Sequence, residues 1–109
     1  MRESGHNYLE TIFLLQREIG RVRSIDVAKA LDYSKPSVSR AMGILRDEGL
    51  LEIAQNGDLT LTKEGTKQAK ALVERQEVLT QFLMMTTDVE QETAQTDAKK
   101  MMHYISDKT

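Results

Sequence analysis

SKPSVSRAMGILRDEGLL, residues 34–51, carries the strongest signals for the fold that we predict. Ser34 is a favoured N-cap residue, and Pro36 suits the first helical turn, where a backbone N–H has no partner. Apolar residues then recur at helical spacing, which predicts a stripe that packs inward. The stripe comprises Val38, Ala41, Met42 and Leu45.

The opposite face of this predicted helix presents small polar and basic groups. They are Lys35, Ser37, Ser39 and Arg40, together with Gly43. Such groups can bind base edges and phosphates in the major groove of DNA. Arg40 is the strongest candidate, because its guanidinium can donate two hydrogen bonds to one guanine; a phosphate contact is the equal alternative. Ser34, Lys35 and Pro36 belong to the same candidate DNA-binding surface.

A shorter helix is predicted just before this segment, with Ser24 as its cap and Leu31 at its end. Two short helices joined by a tight turn, the second presenting polar side chains, form a helix-turn-helix. Arg23 lies beside the predicted cap and is expected to contact the DNA backbone. An earlier amphipathic helix is predicted over residues 5–19.

The apolar period changes after the predicted DNA-reading helix. Apolar and polar residues alternate over 51–53 and 59–61, around an Asn56-Gly57 pair that favours a tight hairpin turn. This pattern predicts a small β-hairpin wing, so the fold class is mainly α, a winged helix-turn-helix. Gln55 and Asn56 are expected to contact DNA beside the main site, and an ordinary exposed hairpin is the alternative.

Two amphipathic helices are predicted beyond the wing, over about 63–85 after a Thr62 cap and over about 89–105. Their apolar faces need a cover, and a second subunit would provide it. We therefore predict a homodimer, with a DNA-binding domain over residues 1–62 and a helical dimerisation region over 63–109.

Composition restricts the class of protein further. The 109 residues correspond to one domain and include no cysteine, which excludes disulfides and thiolate metal sites. No apolar run approaches the roughly 20 residues that span a bilayer, and no signal segment is recognisable, so a cytoplasmic protein is expected. No catalytic arrangement accompanies the two histidines, and we expect no enzymatic activity.

Positive charge is concentrated around the predicted DNA-reading helix. The net charge is −2, but residues 17–46 carry seven bases against three acids, whereas residues 47–109 carry seven against twelve. A local basic excess is typical of a DNA-binding face. The acidic second half suits the alternative, a winged helix that serves as a protein-interaction or dimerisation module without specific DNA binding.

These residues resemble the diphtheria toxin repressor and manganese transport regulator family of metal-dependent repressors. The resemblance runs from Asn7 to Asp107 and implies a winged helix, operator DNA as partner and a dimer. It also implies that the chain ends before the family's dimerisation region is complete. The residues that carry it are Tyr8, Leu9, Glu10, Ile12, Ile25, Asp26, Ala28, Leu31, Ser34, Pro36, Ser37, Val38, Ser39, Leu45, Gly49, Leu50, Asn56, Gly57, Leu61, Thr62, Gly65, Glu74, Arg75, Leu79, Phe82, Leu83, His103, Ile105, Ser106 and Asp107.

The resemblance further implies a site for Mn(II) or Fe(II), yet most of its ligand positions are replaced. The manganese-type positions are Asn7, Glu10, Gln76, Lys99, Met102 and His103. Among them, Glu10 and His103 keep a family ligand. The iron type, with Met, Cys and Glu at the positions of Asn7, Lys99 and Met102, is not restored, and its ancillary histidines fall on Gln76 and Gln95.

The replaced positions predict a metal response that is weakened, altered or lost. Mn(II) and Fe(II) prefer several carboxylate and imidazole ligands, and Lys99 places an ammonium where a carboxylate stood. Lys99 could pair with Glu10 in place of the metal, or be a solvated lysine. His6, one helical turn before Glu10, could join a reduced site or be an exposed histidine. The alternatives for the cofactor are therefore a reduced Mn(II) or Fe(II) site and no bound metal.

Overall fold

The computed structural model describes residues 3–102, 104 and 105, with the backbone alone for Glu3 and Ser4. These residues form the predicted mainly helical winged helix-turn-helix and two further helices. They group into two compact units, the first extending to residue 70 and the second beginning at residue 71. The elements are α1 (Glu3–Ile19), β1 (Val22–Arg23), α2 (Ser24–Leu31), α3 (Lys35–Asp47), β2 (Leu51–Ile53), β3 (Asp58–Leu61), α4 (Lys63–Thr86) and α5 (Gln91–Met101).

The first unit packs α1, α2, α3 and the small sheet around one apolar core. The predicted inward stripe of α3 contributes Val38, Met42 and Leu45, each at most 2% exposed, while Ala41 is half-buried. The other core residues are Tyr8, Leu9, Ile12, Val22, Val27, Ala28, Leu50, Leu51, Leu59, Leu61 and Ala69. Removing this apolar surface from water fixes which face of α3 remains exposed.

The helix caps differ from prediction at one position. Ser34 caps α3 as predicted, since its Oγ accepts a hydrogen bond from the Ser37 N–H at 3.3 Å. Ser24 was predicted to cap α2 but is its first helical residue, so that prediction is wrong by one residue. Arg23 is the cap, because its backbone is extended within β1 and its N–H donates to the Asp26 carboxylate at 2.9 Å.

The wing forms as predicted, with an additional strand. β2 and β3 pair antiparallel, and β1 adds to the other edge of β3, giving the order β1-β3-β2. The turn comprises residues 54–57, closed by a Gly57 N–H···O=C Ala54 bond of 2.9 Å. Gly57 has a φ of 92°, and Asn56 has no positive φ, so this is not the two-residue turn that an Asn-Gly pair favours.

The two later helices differ from prediction at their ends. α4 extends to Thr86, one residue beyond its predicted end, whereas α5 is shorter than predicted. Thr62 caps α4 as predicted, accepting from the Gly65 N–H at 3.1 Å and donating to the Gly49 carbonyl at 2.7 Å. In the second unit α5 begins at Gln91 rather than near 89 and ends at Met101 rather than near 105. No helix in the described part of the chain is long and apolar enough to cross a membrane.

Candidate nucleic-acid interface

The polar face of α3 lies fully on the surface of the first unit. The predicted contact residues Lys35, Ser37, Ser39 and Arg40 are all exposed, as are Ser34 and Pro36 at the start of the helix. Gly43, also predicted to face outward, is half-buried. The burial of Val38 and Met42 on the opposite side holds the polar face in this orientation.

The N-terminus of α3 favours an anion. Its first turn contains no acidic residue, and Lys35 adds a positive charge there. Backbone N–H groups at a helix N-terminus carry partial positive charge and suit phosphate oxygens. The hydroxyl of Ser34 also donates to the Ser37 Oγ at 2.8 Å, so the polar side chains at this end are ordered by one another.

The structure brings Arg23 and the wing turn together, although they are 33 residues apart in sequence. The Arg23 guanidinium donates to the Asn56 carbonyl oxygen. Gly57 allows this approach, because a Cβ at that position would lie 2.9 Å from Arg23 Nη2. Gln55 and Asn56 are exposed in the turn. The predicted contacts at the α2 cap and in the wing thus belong to one surface.

Sequence reasoning missed Arg21 and Asp58, two charged residues of this surface. Arg21 Nε lies 2.7 Å from Asp58 Oδ1, and Arg23 Nε lies 4.0 Å from the same oxygen. The hydrogen bond from Arg21 is the main reason that the pKa of Asp58 is lowered. Arg21 and Arg23 alternate in the sequence GRVRS, which hinted at a strand with both arginines on one face. Their shared partner Asp58 became visible only from the sheet register.

Among the described positions that the resemblance equates with metal ligands, Glu10 is a carboxylate and none is an imidazole. Half-buried among them are Asn7, Glu10, Gln76 and Met102. Lys99 is exposed on α5, and His103 lies outside the described residues. Within the residues that the structure describes, no three His, Cys, Asp or Glu side chains gather where they could hold a metal ion.

The donor types at these positions also disfavour binding of Mn(II) or Fe(II). Two neutral amides, a thioether and an ammonium, with Glu10 as the carboxylate among the described positions, are a poor match for cations that prefer several anionic oxygen ligands. The described residues therefore do not fit the metal that the resemblance implies. The pairing of Lys99 with Glu10 and the reduced site with His6 stay predictions.

Comparison with known proteins matches both parts of the chain to one family. Residues 1–59 match the family model described as iron dependent repressor, N-terminal DNA binding domain. Residues 62–109 match the iron dependent repressor, metal binding and dimerisation domain. Both descriptions are of transcriptional repressors.

Individual relatives agree with the family models. The transcriptional regulator MntR of Escherichia coli O6:H1 is 36% identical over 108 residues, which are 99% of this chain and 69% of the relative. The HTH-type transcriptional regulator MntR of Bacillus subtilis strain 168 is 36% identical over 104 residues, 94% and 72% of the two chains. A solved manganese-dependent transcriptional repressor in complex with manganese has a TM-score of 0.85 at 26% identity, over 95% of this chain. The chain spans about half of that structure's length, 48%.

Proposed function

Because this chain belongs to the iron-dependent repressor family, as its resemblance predicted, we propose that it binds operator DNA as a homodimeric transcriptional repressor. In this proposal α3 enters the major groove, and the wing turn and Arg23 contact the neighbouring sugar-phosphate backbone. Such a regulator would act in the cytoplasm. The exposed polar and basic face of α3 favours DNA binding over the alternative from sequence, a protein-interaction or dimerisation module without specific DNA binding.

The exposed face of α3 is the observation that carries the proposal. It combines a capped, acid-free N-terminus with Lys35, Ser39 and Arg40, which can donate hydrogen bonds to phosphates or to base edges. Short serine side chains beside a long arginine let the helix backbone approach the groove while Arg40 reaches a base. The surface therefore suits duplex DNA better than an apolar protein partner.

A direct test replaces Arg40 with alanine and measures binding to a duplex that the wild-type chain has selected from a random-sequence library. If Arg40 reads a guanine, we expect about 5- to 150-fold weaker binding, from a loss of about 1–3 kcal/mol, and relaxed preference at one position. If Arg40 binds a phosphate, binding to all sequences should weaken, and the slope of log K against log salt should become shallower by about 0.9.

Arg46→Ala provides the matched control for this test. Arg46 lies on the same helix, in its last turn, where it pairs with Asp47 at 3.4 Å. We expect this variant to keep most of the wild-type affinity and preference. Equal loss in both variants, or unchanged binding in Arg40→Ala, would contradict the role proposed for Arg40.

Apolar side chains exposed on α4 support the proposed homodimer. Val78, Phe82 and Met85 are 68%, 55% and 83% exposed, and their spacing of four and three residues puts them on one face of the helix. Large apolar groups that share a face usually mark an interface. The matching family model describes this region as a dimerisation domain, and a second copy of the chain is the cover that we propose.

We also propose that the response to metal is weakened, altered or lost, because the described donor positions do not fit Mn(II) or Fe(II). The test is a titration of the selected duplex with the purified chain in Mn(II), Fe(II), Zn(II) or a chelator. We expect binding in the chelator to remain within about threefold of binding with metal, a difference below 1 kcal/mol. Strict dependence on Mn(II) or Fe(II) would overturn this proposal and leave DNA binding intact.

A further inference from the structure

Two arginines and one carboxylate join the start of α2 to the wing. Arg21 donates to Asp58 Oδ1 over 2.7 Å, and Arg23 lies 4.0 Å from the same oxygen while its guanidinium also binds the Asn56 carbonyl. We call Arg21, Arg23 and Asp58 the wing-base cluster. Since two cations share one anion, the cluster carries a net charge of +1.

The cluster is placed where backbone contacts of a winged helix are expected. Arg23 is the N-cap of α2 and pairs with Asp58 in the sheet, and Asp58 immediately follows the wing turn of residues 54–57. The side chains of Arg21 and Arg23 are 63% and 52% exposed, whereas that of Asp58 is 27% exposed. The two guanidinium groups are therefore largely exposed, and the carboxylate is more covered than either of them.

An exposed ion pair of this kind orients its arginines without holding them tightly. Water screens an ion pair at a protein surface, so the pair contributes little to stability and a DNA phosphate can compete with Asp58 for a guanidinium. Arg–phosphate hydrogen bonds are charge-assisted and can be bidentate. They therefore favour replacement of Asp58 by a DNA phosphate when the DNA backbone is correctly placed. Where the backbone is not in place, Asp58 continues to neutralise part of the positive charge.

We propose that Arg21 is a further phosphate-contacting residue and that Asp58 is a positioning residue that limits binding of both arginines to non-operator DNA. This inference rests on the proposed function. Asp58 holds Arg21 and Arg23 beside the wing turn in the free protein. When α3 binds in the major groove of an operator, the DNA phosphates come within reach of Arg21 and Arg23 and replace Asp58 as their partner. DNA that is bound loosely forms fewer of these contacts and therefore gains less affinity from the two arginines.

The test uses Asp58→Asn in the full chain, with the selected duplex and an unselected random duplex of equal length. Without the carboxylate, we expect tighter binding to the unselected duplex, with a slope of log K against log salt steeper by about 0.9 for each arginine released. The ratio of selected to unselected affinity should fall about tenfold, equivalent to about 1.4 kcal/mol. Thermal unfolding before each titration checks that the variant is folded.

Arg21→Ala provides an independent second variant. For binding to the selected duplex, its slope of log K against log salt should be shallower than that of the wild type by about 0.9, the value for one phosphate contact. A role limited to folding would lower the melting temperature and leave this slope unchanged.

Glu52→Gln is the matched control, because it removes one negative charge from the same hairpin. Glu52 is exposed on β2 and forms no ion pair with the part of the chain that the structure describes. We expect its salt slope and affinity ratio to match those of the wild type. If Asp58→Asn behaves like Glu52→Gln, or Arg21→Ala keeps the wild-type slope, the inference is wrong and the proposed function stands. A wild-type chain that binds neither duplex would overturn both.

Discussion

At the scale of single residues, Gly65 shows how closely the start of α4 passes the backbone of Leu50, between α3 and β2. A Cβ on Gly65 would overlap the carbonyl oxygen of Leu50 and lie 2.9 Å from its carbonyl carbon. The contacting atoms belong to the backbone, so they cannot rotate away as a side chain would. The Leu50 carbonyl also accepts a hydrogen bond from the Thr62 N–H at 3.1 Å, which fixes it in place.

Gly65→Ala should therefore destabilise the protein in spite of the better helix propensity of alanine. We expect the free energy of unfolding to fall by about 2 kcal/mol, because overpacking of this kind costs about 1–3 kcal/mol. Urea unfolding followed by circular dichroism measures it. Gly43→Ala is the control, since its Cβ would meet nothing closer than Arg46 Nη2 at 3.8 Å; it should gain about 0.5–1 kcal/mol. A stabilised Gly65→Ala variant would contradict the packing described.

A second prediction at this scale concerns the ionisation of Asp58. Its pKa is lowered from the ordinary value of 3.8, mainly by the hydrogen bond from Arg21. The pair therefore stabilises the fold above the ordinary carboxyl pKa, and this contribution is lost as pH falls through the lowered pKa of the folded state. Carboxyl NMR titration should give a midpoint below 3.8 for the wild type.

The same titration on Arg21→Ala should move the Asp58 midpoint upward, toward its ordinary value. Arg46→Ala, which removes an arginine that pairs elsewhere, should leave that midpoint where it is in the wild type. An Asp58 midpoint that is identical in all three proteins would show that the Arg21 pair does not form in solution.

At the scale of elements, α3 depends on local signals that act within a few residues. The Ser34 cap satisfies the Ser37 N–H, Pro36 lies in the first turn, and the buried stripe selects the inward face. Sequence reasoning found these signals because none of them needs a distant partner. It misplaced the cap of α2 because Arg23 is held extended by the distant strand β3.

Ser34→Ala should destabilise the protein by about 1 kcal/mol, because an orphan N–H at the start of α3 loses its acceptor. The shift in urea midpoint at constant m-value measures the loss. Ser39→Ala, an exposed change on the same helix away from its cap, should remain within about 0.5 kcal/mol of the wild type. Equal stability of Ser34→Ala and Ser39→Ala would mean that the cap does not contribute.

At the scale of the whole molecule, the second unit leaves apolar surface uncovered within one chain. Its buried residues include Leu72 and Val73 on α4 and Ala94 and Ala98 on α5, while Phe82 is 55% exposed. Sequence reasoning predicted that the apolar face of this helix needs a cover, but it did not say that Val78, Phe82 and Met85 form the exposed part of that face. The three share a face at helical spacing, and only their exposure separates them from core residues.

Phe82→Glu should weaken self-association at least about tenfold, because a carboxylate buried in a dimer interface would cost more than about 1.4 kcal/mol. Sedimentation equilibrium over a range of concentrations measures the change. Thr66→Glu adds the same charge to an exposed position of α4 and should leave association as it is in the wild type. Unchanged association of Phe82→Glu would place the dimer interface elsewhere.

Local signals in the sequence specify that the helices, the exposed face of α3 and the wing hairpin form. These features depend on periodicity, caps and turn residues that act over fewer than ten residues. Long-range contacts, in contrast, establish β1, the approach of Arg23 to Asn56 and the pairing of Arg21 with Asp58. The last pair spans 37 residues and forms only when β1 joins β3. A two-residue strand has no period of its own, and burial of Val22 against the core places it there.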